Sequence, residues 1–414
     1  MPSDNSTEPT RVPLSVWVLA ASTFVLGTSE FVVAGLLPEI AADLHVSVPH
    51  AGLLISAFAI AMVLGAPAMA VLTLRLPRRT TLLSALGVFA AGNVLAALAA
   101  DYDLLLVARV VTAVATGAFW AVAAVLTVSL AGERIRARAL AVLVGGLTVS
   151  NIVGVPLGTF VGQRLGWQAA FWTVAILAAA VTPAVLLLVP NPRTPRVASP
   201  VRAEAGAFRS GRLWLALATT AAFQGGTIAM FSYVAPLLTD VAGLPAAALP
   251  VVLAAFGVGN MVGIHLGGRF ADRYPWRTLL GGLAGTILVL AALASAARNP
   301  YLAVPLLLVF GVLGFSLAAP LNARVFALAG PAPTLASAVN ASAFNVGNTV
   351  GPWLGGIVIG VGLGYTAPSW VGAALLSGAL ALGTVSRRLD RRHEPAALEP
   401  YGQSTRPECL EPEA

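Results

Sequence analysis

Apolar residues in this chain do not alternate with polar ones. They run in twelve blocks of about 20 residues or more, at roughly 14–38, 50–73, 80–100, 103–131, 138–162, 167–189, 213–238, 248–268, 278–297, 300–323, 335–360 and 366–386. At about 1.5 Å of rise per residue, each block is long enough as a helix to cross a hydrocarbon core of about 30 Å. Continuous apolarity excludes a membrane barrel, whose strands alternate lipid-facing and lumen-facing residues. The expected fold class is therefore all-α, with twelve transmembrane helices. Residues 1–11 are polar and lack a charged, apolar and cleavage-site sequence, so the first block is read as a retained helix.

The blocks fall into two copies of six. A shift of 198 residues lays Arg75-Leu-Pro-Arg-Arg79-Thr80 on Arg273-Tyr-Pro-Trp-Arg277-Thr278, Pro38 on Pro236 and Gly65 on Gly263. With the offset slipped by one, Asn151-Ile-Val-Gly154 lies on Asn348-Thr-Val-Gly351. Two pseudo-symmetric six-helix bundles are predicted, 1–189 and 213–388, joined by a Pro- and Arg-rich linker at 190–212 and followed by a polar tail at 389–414.

Composition agrees with a membrane protein: 58% of the 414 residues are hydrophobic and 10% charged, and the mean hydropathy is +0.86. The net charge of +7 comes from arginine alone, without aromatic-interleaved basic runs, so nucleic acid is not expected as a partner. A single cysteine, Cys409, excludes a disulfide framework and a Cys-based metal site. Arginines cluster after the second, fourth, sixth, eighth, tenth and twelfth blocks, whereas Glu39, Asp43, Asp101, Asp103 and Asp240 lie at the opposite ends. The positive-inside rule then places both termini and the linker in the cytoplasm.

One acid interrupts this pattern. Glu30 lies well inside the first block, where an ionisable group costs roughly 2.5 to 3.5 kcal/mol or more and marks a functional site. Thr23, Gly27, Glu30 and Ala34 share one helical stripe, which should face protein or water. Arg109 lies at a matching depth in the fourth block, roughly 9 to 12 Å from the outer ends, on a stripe with Thr112, Thr116 and Trp120. Burial favours the protonated carboxyl and a nearby arginine the carboxylate, so moving the two apart binds or releases a proton. A permanent structural ion pair is the other reading.

Several motifs carry a family resemblance over residues 12 to 388. Gly268-Arg-Phe-Ala-Asp272-Arg273-Tyr-Pro-Trp-Arg277 is similar to the signature of the major facilitator superfamily. The matching stretch of the first half keeps Arg75, Arg78 and Arg79 but has Leu74 in place of the acid. Arg109 with Gly117 resembles the arginine-glycine pattern of drug/proton antiporters. Gly145, Gly154-Val-Pro156-Leu-Gly158 and Gly162 resemble the antiporter motif of drug exporters. Gly27-Thr-Ser-Glu-Phe31, Gly35-Leu-Leu-Pro38 and Ala51-Gly-Leu-Leu-Ile-Ser-Ala-Phe58 resemble actinobacterial chloramphenicol-efflux proteins and their sugar- and nucleoside-exporting relatives.

The resemblance implies the major facilitator fold in a bacterial inner membrane, with a central cavity between the halves. It also implies export of a small amphipathic drug, chloramphenicol above all, against inward proton flow. Glu30 and Arg109 would carry proton coupling. Phe31, Phe58, Thr112, Thr116, Phe119, Trp120, Asn151, Gln224, Tyr233 and Asn345 are the substrate-binding candidates. Asp272, Arg273, Arg277, Arg75, Arg79 and Arg138 would form a latch at the cytoplasmic side, Asp272 seated near the start of the fifth helix. No nucleotide-binding loop and no assembled nucleophile or metal cluster is present, so a proton gradient is expected as the driving force, without cofactor or catalysis. Lipid is the expected surroundings and a monomer the expected state.

Overall fold

The computed structural model describes residues 11–72, 76–190, 210–329 and 333–393. Among the described residues twelve helices are long and apolar enough to cross a membrane. They are α1 Leu14–Gly35, α2 Val48–Ala66, α3 Arg78–Ala97, α4 Tyr102–Gly132, α5 Arg138–Leu165 and α6 Trp167–Leu188, then α7 Gly211–Phe231, α8 Ala246–Arg273, α9 Pro275–Ala296, α10 Pro300–Leu328, α11 Val339–Leu363 and α12 Ala367–Arg391. No strand occurs among the described residues. Most of the linker, the tail from residue 394 and Arg75 lie outside them.

The helices begin where the sequence provides a cap. The Asp101 carboxylate accepts from the Leu104 N–H at 2.8 Å at the start of α4, and the Asn299 side chain accepts from the Tyr301 N–H at 3.0 Å at the start of α10, 198 positions later. Pro275 and Pro300 stand in the first turns of α9 and α10, where the missing N–H has no intrahelical partner to lose.

Two predicted blocks, 14–38 and 213–238, are not continuous helices. α1 stops at Gly35 and resumes as the short helix Leu37–Asp43, and α7 stops at Phe231 and resumes from Val234. The repeat-related prolines explain both breaks. Pro38 and Pro236 offer no N–H to the carbonyls of Ala34 and Ser232, and their rings crowd those carbonyls.

The repeat recurs in the packing. A β-carbon on Gly65 of α2 would stand 3.0 Å from Val114 of α4, and one on Gly263 of α8 would meet the Val312 backbone of α10. Gly27 of α1 sits against Ser150 of α5 as Gly225 of α7 sits against Gly347 of α11. The first bundle buries Phe89, Phe119 and Phe171, and the second stacks Phe231 on Phe256 with ring centroids 5.1 Å apart. Large apolar side chains such as Leu64, Leu187 and Leu288 remain exposed, forming the lipid-facing surface.

The turns after α2, α4 and α8 lie at one end of the bundle, with Arg78, Arg138, Arg273 and Arg277. Glu39, Asp43, Asp101 and Asp240 lie at the other, acidic end. At the arginine-rich end Asp390 accepts from Arg324 at 2.8 Å and pairs with Arg212, tying α7, α10 and α12 together. The halves touch along two lines, α2 against α11 and α5 against α8. Their closest contacts lie toward the acidic end. The Ser56 hydroxyl donates to the Thr349 carbonyl at 3.0 Å, the Tyr233 ring fills a notch left by Gly52, and Gly257 lies on the backbone of Asn151 and Ile152.

Candidate functional site

Where α1, α2, α7 and α11 converge, a cavity of about 340 Å³, its open mouth included, lies at the junction of the halves. Glu30, Phe31, Ala34, Ile55, Phe58 and Ala59 line it from the first half, and Ile228, Phe231, Ser232 and Asn348 from the second. An aromatic wall with sparse polar groups is the lining that small-molecule sites use. Glu30 is the one ionisable side chain on this wall.

The cavity is asymmetric although the scaffold repeats. The position 198 beyond Glu30 is Ile228, also on the wall, and the position 198 beyond Arg109 is the buried Leu307. Charge therefore enters the membrane interior from the first half alone at these positions.

Arg109 lies behind Glu30 and is 1% exposed. Its guanidinium donates to the backbone carbonyl of Ser29 at 2.8 Å and to that of Glu30 at 3.2 Å. The planar group also lies 4.3 Å from the centroid of the Phe58 ring, a cation–π contact with a residue of the cavity wall. The Ser29 hydroxyl donates to Asn93 Oδ1 at 2.9 Å, and Asn93 Nδ2 donates to the Phe89 carbonyl. Helices α1, α3 and α4 are thus joined by one buried polar network. Among the described residues no ion pair forms between the Arg109 guanidinium and the Glu30 carboxylate, and that carboxylate has no hydrogen-bond partner.

Of the ten side chains expected to bind substrate, Phe31 and Phe58 line the cavity. Gln224 stands directly behind it and donates to Asn348 Oδ1 at 2.7 Å. The other seven lie off its wall in this conformation. Thr112 and Thr116 are buried and return their hydroxyls to their own helix, and the Thr112 methyl faces Gly92 of α3. Phe119 belongs to the core of the first bundle, and Trp120 packs beside Phe58 and Met62. Asn151 lies on the α5–α8 contact and Tyr233 on the α2–α11 contact, where its hydroxyl donates to the Pro352 carbonyl at 2.8 Å. Asn345 donates to the Ala341 carbonyl one turn before Asn348.

Asn348 and Ser232 were not among the sequence candidates. The repeat offered a signal for Asn348, since it is the partner of Asn151. Ser232 had none, because it faces the cavity only through the break after Phe231.

The glycine motif packs as a ladder. Gly154, Gly158 and Gly162 of α5 receive Thr28, Val32 and Leu36, and Pro156 is buried between them. Four-residue spacing on one helix thus meets four-residue spacing on the other. Gly145 faces open space, and the close approach to α1 is made by its neighbour Gly146. Asp272, Arg273, Arg277 and Arg138 are exposed at the arginine-rich end, and Asp272 forms no ion pair among the described residues. Arg273 and Arg277 flank the Tyr274 ring at 5.4 and 5.3 Å, while Arg79 donates to the Leu186 carbonyl.

Comparison with known proteins identifies the scaffold. The profile of the Major Facilitator Superfamily matches residues 19–335. The chain belongs to that superfamily. It is 39% identical to a chloramphenicol resistance protein of Streptomyces lividans over 374 residues, 89% of this chain and 95% of that one. It is 37% identical to the inner membrane transport protein YdhP of Escherichia coli, covering 91% and 97% of the two chains. Identity to a probable sugar efflux transporter of Mannheimia succiniciproducens is 30%, covering 87% and 90%. A crystal structure of a bacterial homologue of the human lysosomal transporter Spinster has the same fold, with a TM-score of 0.73 at 19% identity over 94% of this chain and 100% of that one. Superfamily membership and twelve apolar helices make this a multi-pass membrane transporter of small molecules.

Proposed function

We propose that this superfamily member exports a small amphipathic drug, chloramphenicol foremost, across the bacterial inner membrane in exchange for protons. The observation that carries this reading is Glu30, a carboxyl without an ion-pair partner on the wall of a cavity between the halves. Phe31, Phe58 and Phe231 supply faces for an aromatic substrate, and the resemblance to a chloramphenicol resistance protein supports the same class. A sugar would call for several amides, and the wall carries one, Asn348.

In this reading the arginine-rich end is cytoplasmic and the contacts at the acidic end close the outer gate. Drug enters from the cytoplasm while Glu30 is protonated. Drug and proton compete for the Glu30 side of the cavity, so loading one releases the other. Arg109 fixes the α1 backbone beneath the carboxyl. Rocking of the halves then exposes the cavity to the outside. The proton gradient supplies the energy.

The test is a growth-inhibition panel in a sensitive host, paired with purified Glu30→Gln protein. Chloramphenicol protection by the wild type, with Glu30→Gln expressed but silent in efflux and in drug-induced proton release, is the expected result. Protection against sugars or nucleoside analogues alone would favour the sugar reading. Full gradient-driven export by Glu30→Gln would remove Glu30 from the coupling.

A further inference from the structure

We infer that Asn348 and Ser232 form the selective subsite of the cavity, donating hydrogen bonds to a neutral acceptor group of an uncharged aromatic substrate. This rests on the export reading above and adds which chemistry the second half recognises.

Three observations carry it. Asn348 Oδ1 is occupied by the Gln224 amide at 2.7 Å, which fixes the orientation of the Asn348 side chain and leaves its N–H groups without a partner among the described residues. Ser232 lines the same cavity, is 1% exposed, and its hydroxyl has no hydrogen-bond partner. A buried hydroxyl is seldom left unpaired, and an acceptor bound between Ser232 and the half-buried Asn348 N–H groups satisfies both.

The acceptor is neutral because no cation lines the cavity. The one nearby, Arg109, is 1% exposed behind Glu30, gives two of its N–H groups to backbone carbonyls and does not line the cavity. The rings of Phe31, Phe58 and Phe231 complete the site with apolar faces. The fitting ligand therefore has an aromatic ring and a carbonyl, nitro or similar uncharged acceptor. A polyol, which needs donors and acceptors matched all around, does not fit this wall.

The subsite also depends on conformation. Asn348 is adjacent to Thr349, whose carbonyl accepts the Ser56 hydroxyl across the halves. Parting the acidic end breaks that bond and draws Asn348 and Ser232 on the second half away from Glu30 on the first. The complete site exists while the acidic end is closed, and opening that end releases the ligand.

The experiment is equilibrium binding of radiolabelled chloramphenicol to the purified full-length protein in nanodiscs, for the wild type, Asn348→Ala, Asn348→Ser and Ser232→Ala. Melting temperature is followed to establish folding. Loss of about tenfold in affinity for Asn348→Ala and for Ser232→Ala, with partial recovery in Asn348→Ser, is expected. A change below twofold in Asn348→Ser and Ser232→Ala overturns the subsite and leaves Glu30-coupled export standing. Absence of wild-type binding at millimolar chloramphenicol overturns both the subsite and the substrate assignment.

Discussion

Arg109 holds α1 by the backbone of Ser29 and Glu30, at 2.8 and 3.2 Å, and leaves the Glu30 carboxylate unpaired. The two side chains are neighbours with separable tasks. Glu30→Gln should therefore leave the melting temperature within about 2 °C of wild type, because no ion pair is lost. Arg109→Ala should cost roughly 3 kcal/mol or more in stability by leaving the buried Ser29–Asn93 network incomplete. Arg109→Lys should not restore it, since an ammonium on a flexible stem lacks the rigid planar fork that reaches both carbonyls while stacking on Phe58. Thermal unfolding in detergent measures all three, and a Glu30→Gln protein as unstable as Arg109→Ala would contradict the separation.

The contacts between the halves at the acidic end depend on glycines that leave no room for a side chain. A β-carbon on Gly52 would lie 2.3 Å from the Tyr233 hydroxyl, and one on Gly257 would lie 2.5 Å from the Asn151 carbonyl. Gly52→Val and Gly257→Ala should each disfavour closure of this end by roughly 1 to 3 kcal/mol. Gly145→Ala, which enters open space, should have no effect. Spin-label distances between α2 and α11, measured at the acidic end, read the shift. A longer distance in Gly145→Ala, or an unchanged one in Gly257→Ala, would refute the assignment.

Asp272 is exposed in this conformation. Its proposed task begins when the arginine-rich end closes and brings it to the start of α5 near Arg138. A carboxylate at a helix N-terminus is worth roughly 0.3 to 1 kcal/mol, so Asp272→Asn should shift the equilibrium toward the state seen here by about two- to fivefold and slow export. Labelling of cysteines placed in the arginine-rich half of α5 and α8 should speed up accordingly. Unchanged labelling and transport would exclude the latch.

At the acidic end, burial pushes the Glu39 carboxyl above its ordinary value of 4.5, offset in part by its own backbone and by Gln163, whose amide donates at 3.2 Å. The folded state then holds its proton more tightly than the unfolded chain. Stability is greatest below the unfolded value near 4.5 and declines as pH rises through the folded value, above which it levels off. Glu39→Gln should flatten this decline and raise the melting temperature at neutral pH relative to wild type. Melting curves taken at several pH values between 4 and 8 check the sign, and a steeper decline in the variant would reverse it.

Blocks of apolar residues, arginine placement and the 198-residue repeat determined twelve helices in two related halves without reference to any contact. A bilayer admits only segments that satisfy their own backbone, so length and polarity suffice to find them. Glu30, Phe31, Phe58 and the α1–α5 glycine ladder were legible for the same reason: a charge or a run of small residues in an apolar helix is costly or pointless without a partner. The sequence could not show whether Arg109 meets the carboxylate or the backbone, a choice made by differences of a few ångströms between side chains on separate helices. Nor could it tell the asparagines of one repeat apart. Asn151 lies on the α5–α8 contact and Asn348 faces the cavity because the halves meet along two unlike lines. The breaks at Pro38 and Pro236 are written in the sequence, but only the convergence of α1, α2, α7 and α11 on one cavity turns one of them into a wall that presents Ser232. Which polar groups share a cavity is decided by how helices distant in sequence converge, and helical periodicity carries no record of that.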